Sequence, residues 1–197
     1  AGGIGVIDIR TGEVLAMANY PTFDSNFGTK SKSSLHKLSF VSDPLEPGST
    51  LKILTAASAL EHGVASTDTS YYCERGRLRV GDHVITEAES KHKFEWLSMK
   101  EIIQKSSNIG TTKMAFDITY PKLKETFEKF KLGEQSHIEL PGESRGIFED
   151  KDKVSALKLS NMSFGQGIAT TGVQMLSIYS TIANHGKYVQ PTIFRKK

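Results

Sequence analysis

The segment from Ser49 to Gly63 places the strongest constraint on what this chain can fold into. It follows Pro47-Gly48, begins at a serine able to cap a helix, and ends at a glycine able to stop one. Within it Leu51, Ile53, Leu54, Ala56, Ala57, Ala59 and Leu60 fall nearly all round a helical wheel, which marks a buried helix rather than a surface one. One charged side chain, Lys52, interrupts that apolar run.

The other elements are shorter. Residues 4–9 and 14–18 read as two strands, and Arg10-Thr11-Gly12-Glu13 between them carries turn chemistry, so they form a hairpin. Residues 21–48 have little periodicity and read as a long surface connection. Short strand-like pieces with turns at Gly76 and Gly81 fill residues 71–86. Ser98-Met99-Lys100-Glu101 has capping-box spacing and opens a helix that breaks at Ser106-Ser107-Asn108, after which another follows. Pro121 starts the next, with Leu123, Phe127 and Phe130 on one face. Leu140-Pro141-Gly142-Glu143 is a turn. A last helix spans about 172–183, with Val173, Leu176 and Ile182 inward and Gly186 as its stop, before a return to strand over residues 188–194. This order predicts an α+β fold, an antiparallel sheet with a helical cluster on it. A two-stranded hairpin is not stable alone, and residues 187–194 supply at most one further strand.

Composition excludes several classes. The 197 residues suffice for one domain with a sizeable core. With 25 Lys and Arg against 22 Asp and Glu, the net charge of +3 makes no case for nucleic acid. The basic end Arg195-Lys196-Lys197 reads as a solvated terminus. A single cysteine, Cys73, cannot form an internal disulfide, and it reads as a small buried residue rather than a nucleophile. The six histidines lack metal-ligand spacing, so neither metal nor cofactor is expected. Gly3-Ile4-Gly5 lacks the third glycine of a dinucleotide loop. Asp8 and Glu13 read as a hairpin rim, and the sequon Asn161-Met162-Ser163 carries no weight in a bacterial reading. No run of eighteen apolar residues occurs. The chain opens directly into a strand without an initiator methionine, so it reads as a piece of a longer protein and its lack of a targeting signal does not place it.

The chemistry centres on Ser49-x-x-Lys52. Residues three apart share a helix face, so the Lys52 amine can reach the Ser49 hydroxyl. Ser49 stands at a helix N-terminus, where free N–H groups favour developing negative charge. A lysine in apolar surroundings is costly to keep charged; its pKa falls, and a neutral amine can take the serine proton. A capping serine followed by an exposed lysine is the bland alternative. Ser106-Ser107-Asn108, in a helix break, is the second element: a hydroxyl and an amide two residues apart can face one cavity, although a plain inter-helix turn looks the same.

Together these elements match two of the three signatures of penicillin-binding proteins and class A β-lactamases. Further residues extend the likeness: Val6-Ile7-Asp8 with Thr11-Gly12-Glu13-Val14-Leu15-Ala16-Met17-Ala18, Pro21 with Phe23-Asp24 and Asn26, Glu46-Pro47-Gly48-Ser49, Lys105-Ser106-Ser107-Asn108-Ile109-Gly110, Leu140-Pro141-Gly142-Glu143, and Ser163-Phe164-Gly165-Gln166-Gly167. In that order, over nearly the whole chain, they resemble class B penicillin-binding proteins, with the division-specific, FtsI-like transpeptidases nearest. The resemblance implies the penicillin-binding/β-lactamase-like transpeptidase fold. It implies Ser49 as acylated nucleophile, Lys52 as its general base, Ser106 as proton relay to the leaving amine, and Asn108, Gly165 and Gln166 as substrate-binding residues. It implies a D-Ala-D-Ala-ended peptidoglycan stem peptide as substrate, β-lactams as acylating mimics, division-machinery membrane proteins as partners, and an inner-membrane anchor with this domain in the periplasm.

The chain departs from the family pattern in one major respect. The Lys-Thr/Ser-Gly motif, which the family places on an edge strand after the segment resembling residues 188–194, is absent, so residues 1–197 read as a partial transpeptidase domain lacking its last sheet strands. Arg10-Thr11-Gly12 belongs to the first hairpin, and Lys30, after Thr29, is not followed by Thr-Gly. Leu51 and Gln166 differ from the commonest family residues. The competing class is a non-catalytic module, either a penicillin-binding sensor or a divisome scaffold. A β-lactamase would need a base for a deacylating water; Glu87, Glu89 and Glu95 are available, but none sits in a recognisable motif.

Overall fold

The computed structural model describes residues 2–24, 26, 33–148 and 152–195. In chain order its elements are β1 (Gly2–Ile7), β2 (Val14–Tyr20), α1 (Ser39–Ser42), α2 (Lys52–Glu61), β3 (Ser70–Tyr72), β4 (Arg77–Val80), β5 (His83–Thr86), β6 (Trp96–Ser98), α3 (Met99–Lys105), α4 (Asn108–Ile118), α5 (Tyr120–Lys129), α6 (Ala156–Ser163) and α7 (Gly172–Ala183). Single 3-10 turns occur at Ser33–His36, Gly48–Leu51 and Glu74–Gly76. Thr29, Lys30, Lys196 and Lys197 lie outside the described residues. The elements form two compact units, one of Ala1–Leu45, Phe130–Phe148 and Ala169–Lys197, the other of Glu46–Lys129 and Glu149–Ile168.

The first unit is built on the expected hairpin. β1 and β2 pair antiparallel, with Gly2 opposite Tyr20 and Val6 opposite Ala16. The Asp8 carboxylate accepts the N–H groups of Arg10 (2.8 Å) and Thr11 (3.2 Å) and so shapes the turn, a structural rim as expected. The described part of residues 21–48 is less irregular than expected. α1 carries Phe40, whose ring fills the hollows over Gly3, Gly5 and Gly172; an added Cβ at these positions would stand 2.6, 2.9 and 2.4 Å from it. Val41 joins Ile138 and Val173 in the core. Glu143 of the Leu140–Glu143 turn accepts Ser136 N (2.7 Å) and His137 N (3.0 Å).

Two expectations for this unit need correction. The strand expected over residues 188–194 is a single bridge at Thr192, whose N–H and C=O pair with Gly12 O and Val14 N (both 2.8 Å). The ladder stops there because the N–H that would continue it, that of Phe194, turns back to Thr192 Oγ1 at 3.1 Å, while the Glu139 carboxylate holds Thr192 Oγ1 (2.8 Å) and Ile193 N (3.0 Å). α7 has the expected bounds and a capping box of Thr171 and Gln174, but of its three expected inward residues only Val173 is fully buried. Leu176 is half-buried against Gly5, Ile182 is half-buried, and Ile178 takes the inner place.

In the second unit α2 is the buried helix its composition demands, with α3, α4 and α5 against it and α6 against α4. Leu51, Leu54, Ala56 and Ala59 are buried, as are Ile102, Ile109, Met114, Leu123 and Phe127 from its neighbours. Two of the polar side chains inside tie helices together: Thr55 Oγ1 donates to Ser163 O (2.7 Å), and Thr126 Oγ1 donates to Ser58 Oγ (2.9 Å). The capping box of Ser98 and Glu101 opens α3 as expected. β4 and β5 form a hairpin through Gly81, while β3 pairs with β6, a three-residue strand the sequence did not reveal.

Candidate active site

Ser49 does not cap α2. It sits one turn earlier, in the 3-10 turn Gly48–Leu51, and α2 proper begins at Lys52. Gly48 has φ 55°, outside helical space, so the α-helix cannot extend back through it. This turn is tied at two points to the segment after α6. Gly48 N donates to Gly165 O (3.0 Å), and Gly167 N donates to the Glu46 carboxylate (2.9 Å). The approach is so close that a Cβ on Gly165, at φ 81°, would stand 2.1 Å from Gly48 O. Gly165 therefore holds the serine turn in place through its backbone, while Gln166 lies exposed beside it.

Lys52, at the first position of α2, is only 2% exposed. Its amine does not bond Ser49. It donates instead to Ser106 O (2.6 Å) and Ser106 Oγ (3.0 Å). A four-carbon side chain on a helix start can run inward past its own turn, and here it finds the acceptors of the next helix break. Burial lowers the Lys52 pKa from its ordinary 10.5 to about 8, with the negative charge of Glu87 acting the other way.

The break itself matches the sequence reading. Ser106 ends α3 in a left-handed conformation (φ 55°, ψ 43°), which turns its carbonyl and hydroxyl toward Lys52. Ser107 caps α4, accepting Gly110 N at 3.0 Å. Asn108 donates its amide Nδ2 to Thr86 O (2.9 Å), which leaves its Oδ1 as the free acceptor of that side chain. Behind the turn stands Glu87, only 6% exposed, accepting Ser107 Oγ on Oε1 and Asn108 N on Oε2, both at 2.6 Å.

An open cavity of about 660 Å³ joins these parts, with Ser49, Glu87, Asn108, Asn161, Phe164 and Gln166 among its walls. Ser49 is exposed at its rim. The structure thus brings Ser49, Lys52, Ser106 and Asn108 together, with Gly165 and Gln166 beside them. Such a site can present a serine hydroxyl to a carbonyl carbon, with an amine of lowered pKa and a second hydroxyl close behind. Cys73 is buried and its thiol pushed up by that burial, as expected of a packing residue. Among the described residues no group of three or more His, Cys, Asp or Glu side chains gathers to hold a metal. The residue that sequence reasoning passed over is Glu87: it lies 20 positions before Ser107, and only the folding of β5 against α4 shows its place.

A serine and a buried lysine at opposite ends of one helical turn, faced by a serine–asparagine helix break, define the serine acyl-transferases of the penicillin-binding class. The model of the penicillin-binding protein transpeptidase domain matches residues 2–197, and the chain belongs to that family. It is 37% identical over 192 residues to the penicillin-binding protein PbpB of Mycolicibacterium smegmatis, covering 96% of this chain and 29% of that protein. It is 31% identical over 188 residues to the peptidoglycan D,D-transpeptidase FtsI of Escherichia coli, covering 95% of this chain and 31% of that protein. Among solved structures, penicillin-binding protein 3 of Mycobacterium tuberculosis complexed with aztreonam superposes with a TM-score of 0.86 at 35% identity, over 95% of this chain and 42% of that one. The apo transpeptidase domain of Burkholderia pseudomallei penicillin-binding protein 3 gives 0.86 at 28% identity, over 98% and 53%. The chain therefore has the α+β transpeptidase fold, and it spans about a third of the length of these two curated relatives.

Proposed function

We propose that the protein containing this chain is a D,D-transpeptidase that cross-links peptidoglycan stem peptides during septal wall synthesis. The carrying observation is the Lys52 amine, buried, lowered to about 8 and bonded to Ser106 beside the exposed Ser49. A structural role would not require a lysine there, since keeping its charge in an apolar helix costs stability. In its neutral form Lys52 accepts the Ser49 proton as Oγ attacks the penultimate D-Ala carbonyl carbon. The N–H groups of the 3-10 turn that follow Gly48, whose own N–H is taken by Gly165 O, are the donors offered to the oxyanion. As the tetrahedral intermediate collapses, the proton passes through Ser106 Oγ to the leaving D-Ala amine, and an ester remains on Ser49. The amine of a neighbouring strand then attacks that ester and frees the serine. Asn108 Oδ1 receives an N–H of the stem peptide, and Gln166 lines its path. β-Lactams acylate Ser49 by the same attack, a reading supported by the aztreonam complex of the mycobacterial relative.

We also propose that a Lys-Thr-Gly or Lys-Ser-Gly strand follows residue 197 and adds to the hairpin sheet. In support, Ile4 (66%), Leu15 (63%) and Tyr20 (75%) stand exposed on β1 and β2. An inner-membrane anchor and contact with division-machinery membrane proteins belong to the same reading; among the described residues no helix is long and apolar enough to cross a membrane. The test is labelling of the full-length protein with a fluorescent penicillin. We expect wild type to label and Ser49→Ala to lose the label entirely. Equal labelling of both would end the proposal.

A further inference from the structure

Glu87 is the one buried carboxylate in the walls of the cavity, and the acyl-transfer steps make no use of it. Both its oxygens accept hydrogen bonds at 2.6 Å, one from Ser107 Oγ and one from Asn108 N, the first N–H of α4. The Ser107 hydroxyl also accepts Gly110 N at 3.0 Å, so it links the carboxylate to the first turn of α4. Both oxygens are thus engaged by the turn, and the start of α4 is a favourable place for a carboxylate. The same turn is held from its other side by Lys52, through Ser106 O and Oγ. Ser106 itself adopts a left-handed backbone that a non-glycine residue keeps only when its surroundings enforce it.

We propose that Glu87 is a positioning residue of this site: its carboxylate locks the Ser106-Ser107-Asn108 turn from behind and supplies the negative charge that the Lys52 amine sees across that turn. The inference rests on the acyl-transfer reading of Ser49 and Lys52 given above. Without the charge, burial alone acts on Lys52, and its pKa falls further. The other titratable groups around the turn do not replace it. Cys73, 3.6 Å from Ser107 Oγ, has its thiol pushed up by burial and stays uncharged at neutral pH. Lys113 is committed to Glu74 at 2.5 Å. His83, on the cavity wall, carries no negative charge in either protonation state.

The experiment is the pH profile of penicillin acylation in the full-length protein and its variants. Glu87→Gln keeps the shape and removes the charge; we expect its acid limb to move to lower pH by roughly half a unit or more. Glu87→Asp keeps the charge and should leave the limb at the wild-type position, with acylation slowed because the shorter side chain no longer reaches both donors. Ser107→Ala removes one of the two bonds and should slow acylation without moving the limb. Should the Gln variant fail to fold, the Asp and Ala variants still decide. A Glu87→Gln limb that superimposes on wild type, an Asp limb displaced to lower pH, or an unchanged rate in Ser107→Ala would overturn the proposal. Each of these results is compatible with a label that depends on Ser49, so the positioning role and the transpeptidase reading fail separately.

Discussion

Lys52, with its amine lowered to about 8 and 2% of its surface exposed, is costly to the fold, and under the proposed function that same lowering makes it the base. At pH 7 roughly one molecule in ten carries the neutral base, and at pH 8 about half do. Acylation should therefore climb with pH through a midpoint near 8, measured as the second-order rate constant with a penicillin. The folded-state pKa lies below the unfolded 10.5, so the unfolded chain holds more protons between pH 8 and 10.5. Stability should rise across that window and be flat below it for this group, by up to about 3 kcal/mol in total. Lys52→Met removes the cost. We expect its melting temperature at pH 7 to be no lower than wild type, and its acylation to fall by about 10³-fold. A marked loss of thermal stability in that variant would contradict this account. The spacing Ser49-x-x-Lys52 made the pair legible in the sequence, because three positions is a helical turn. The end point of the amine was not legible, since the chain gives no hint that Ser106, 54 residues on, supplies both acceptors. Glu87 was available only as one of several acidic residues without a motif.

Elements with strong end signals were readable, and those without were not. The capping boxes at Ser98–Glu101 and Thr171–Gln174 fix where α3 and α7 begin, and the first of these was visible in the sequence as spacing alone. β6, with three residues, is too short to show any period. α6 spends three of its eight positions on Ser and Asn, poor helix formers, and gains its place by packing against α4. The expected strand after Tyr188 had the right composition, yet Phe194 N turns back to Thr192 Oγ1 and Glu139 holds Thr192 and Ile193, a tertiary arrangement outside the reach of local pattern. The connection between the Gly48–Leu51 turn and the segment after α6 yields a test at this scale. Gly165→Ala puts a methyl group into Gly48 O and a side chain at a φ that disfavours one. We expect it to cost about 2 kcal/mol and to slow acylation of Ser49 more than that loss of stability explains. Unchanged denaturation and acylation in this variant would remove the buttress from the mechanism.

At the scale of the molecule, family membership was legible because its motifs are spread in order along nearly the whole chain, each a local pattern. The proposed further strand was legible only as an expectation, which the exposure of Ile4, Leu15 and Tyr20 on the hairpin supports. If the proposed downstream strand contributes to substrate binding, the isolated 197-residue chain should take up fluorescent penicillin at least about tenfold more slowly than the full-length protein. Equal rates would show that these residues suffice. The tie between Glu46 and Gly167 joins positions 121 apart. Contacts of such long range form late, because a large loop must close before they give any return. On a ribosome the hydroxyl proposed to react is thus made early and aimed late: the nascent polypeptide carries Ser49 unaimed until the distal glycine loop has emerged and docked.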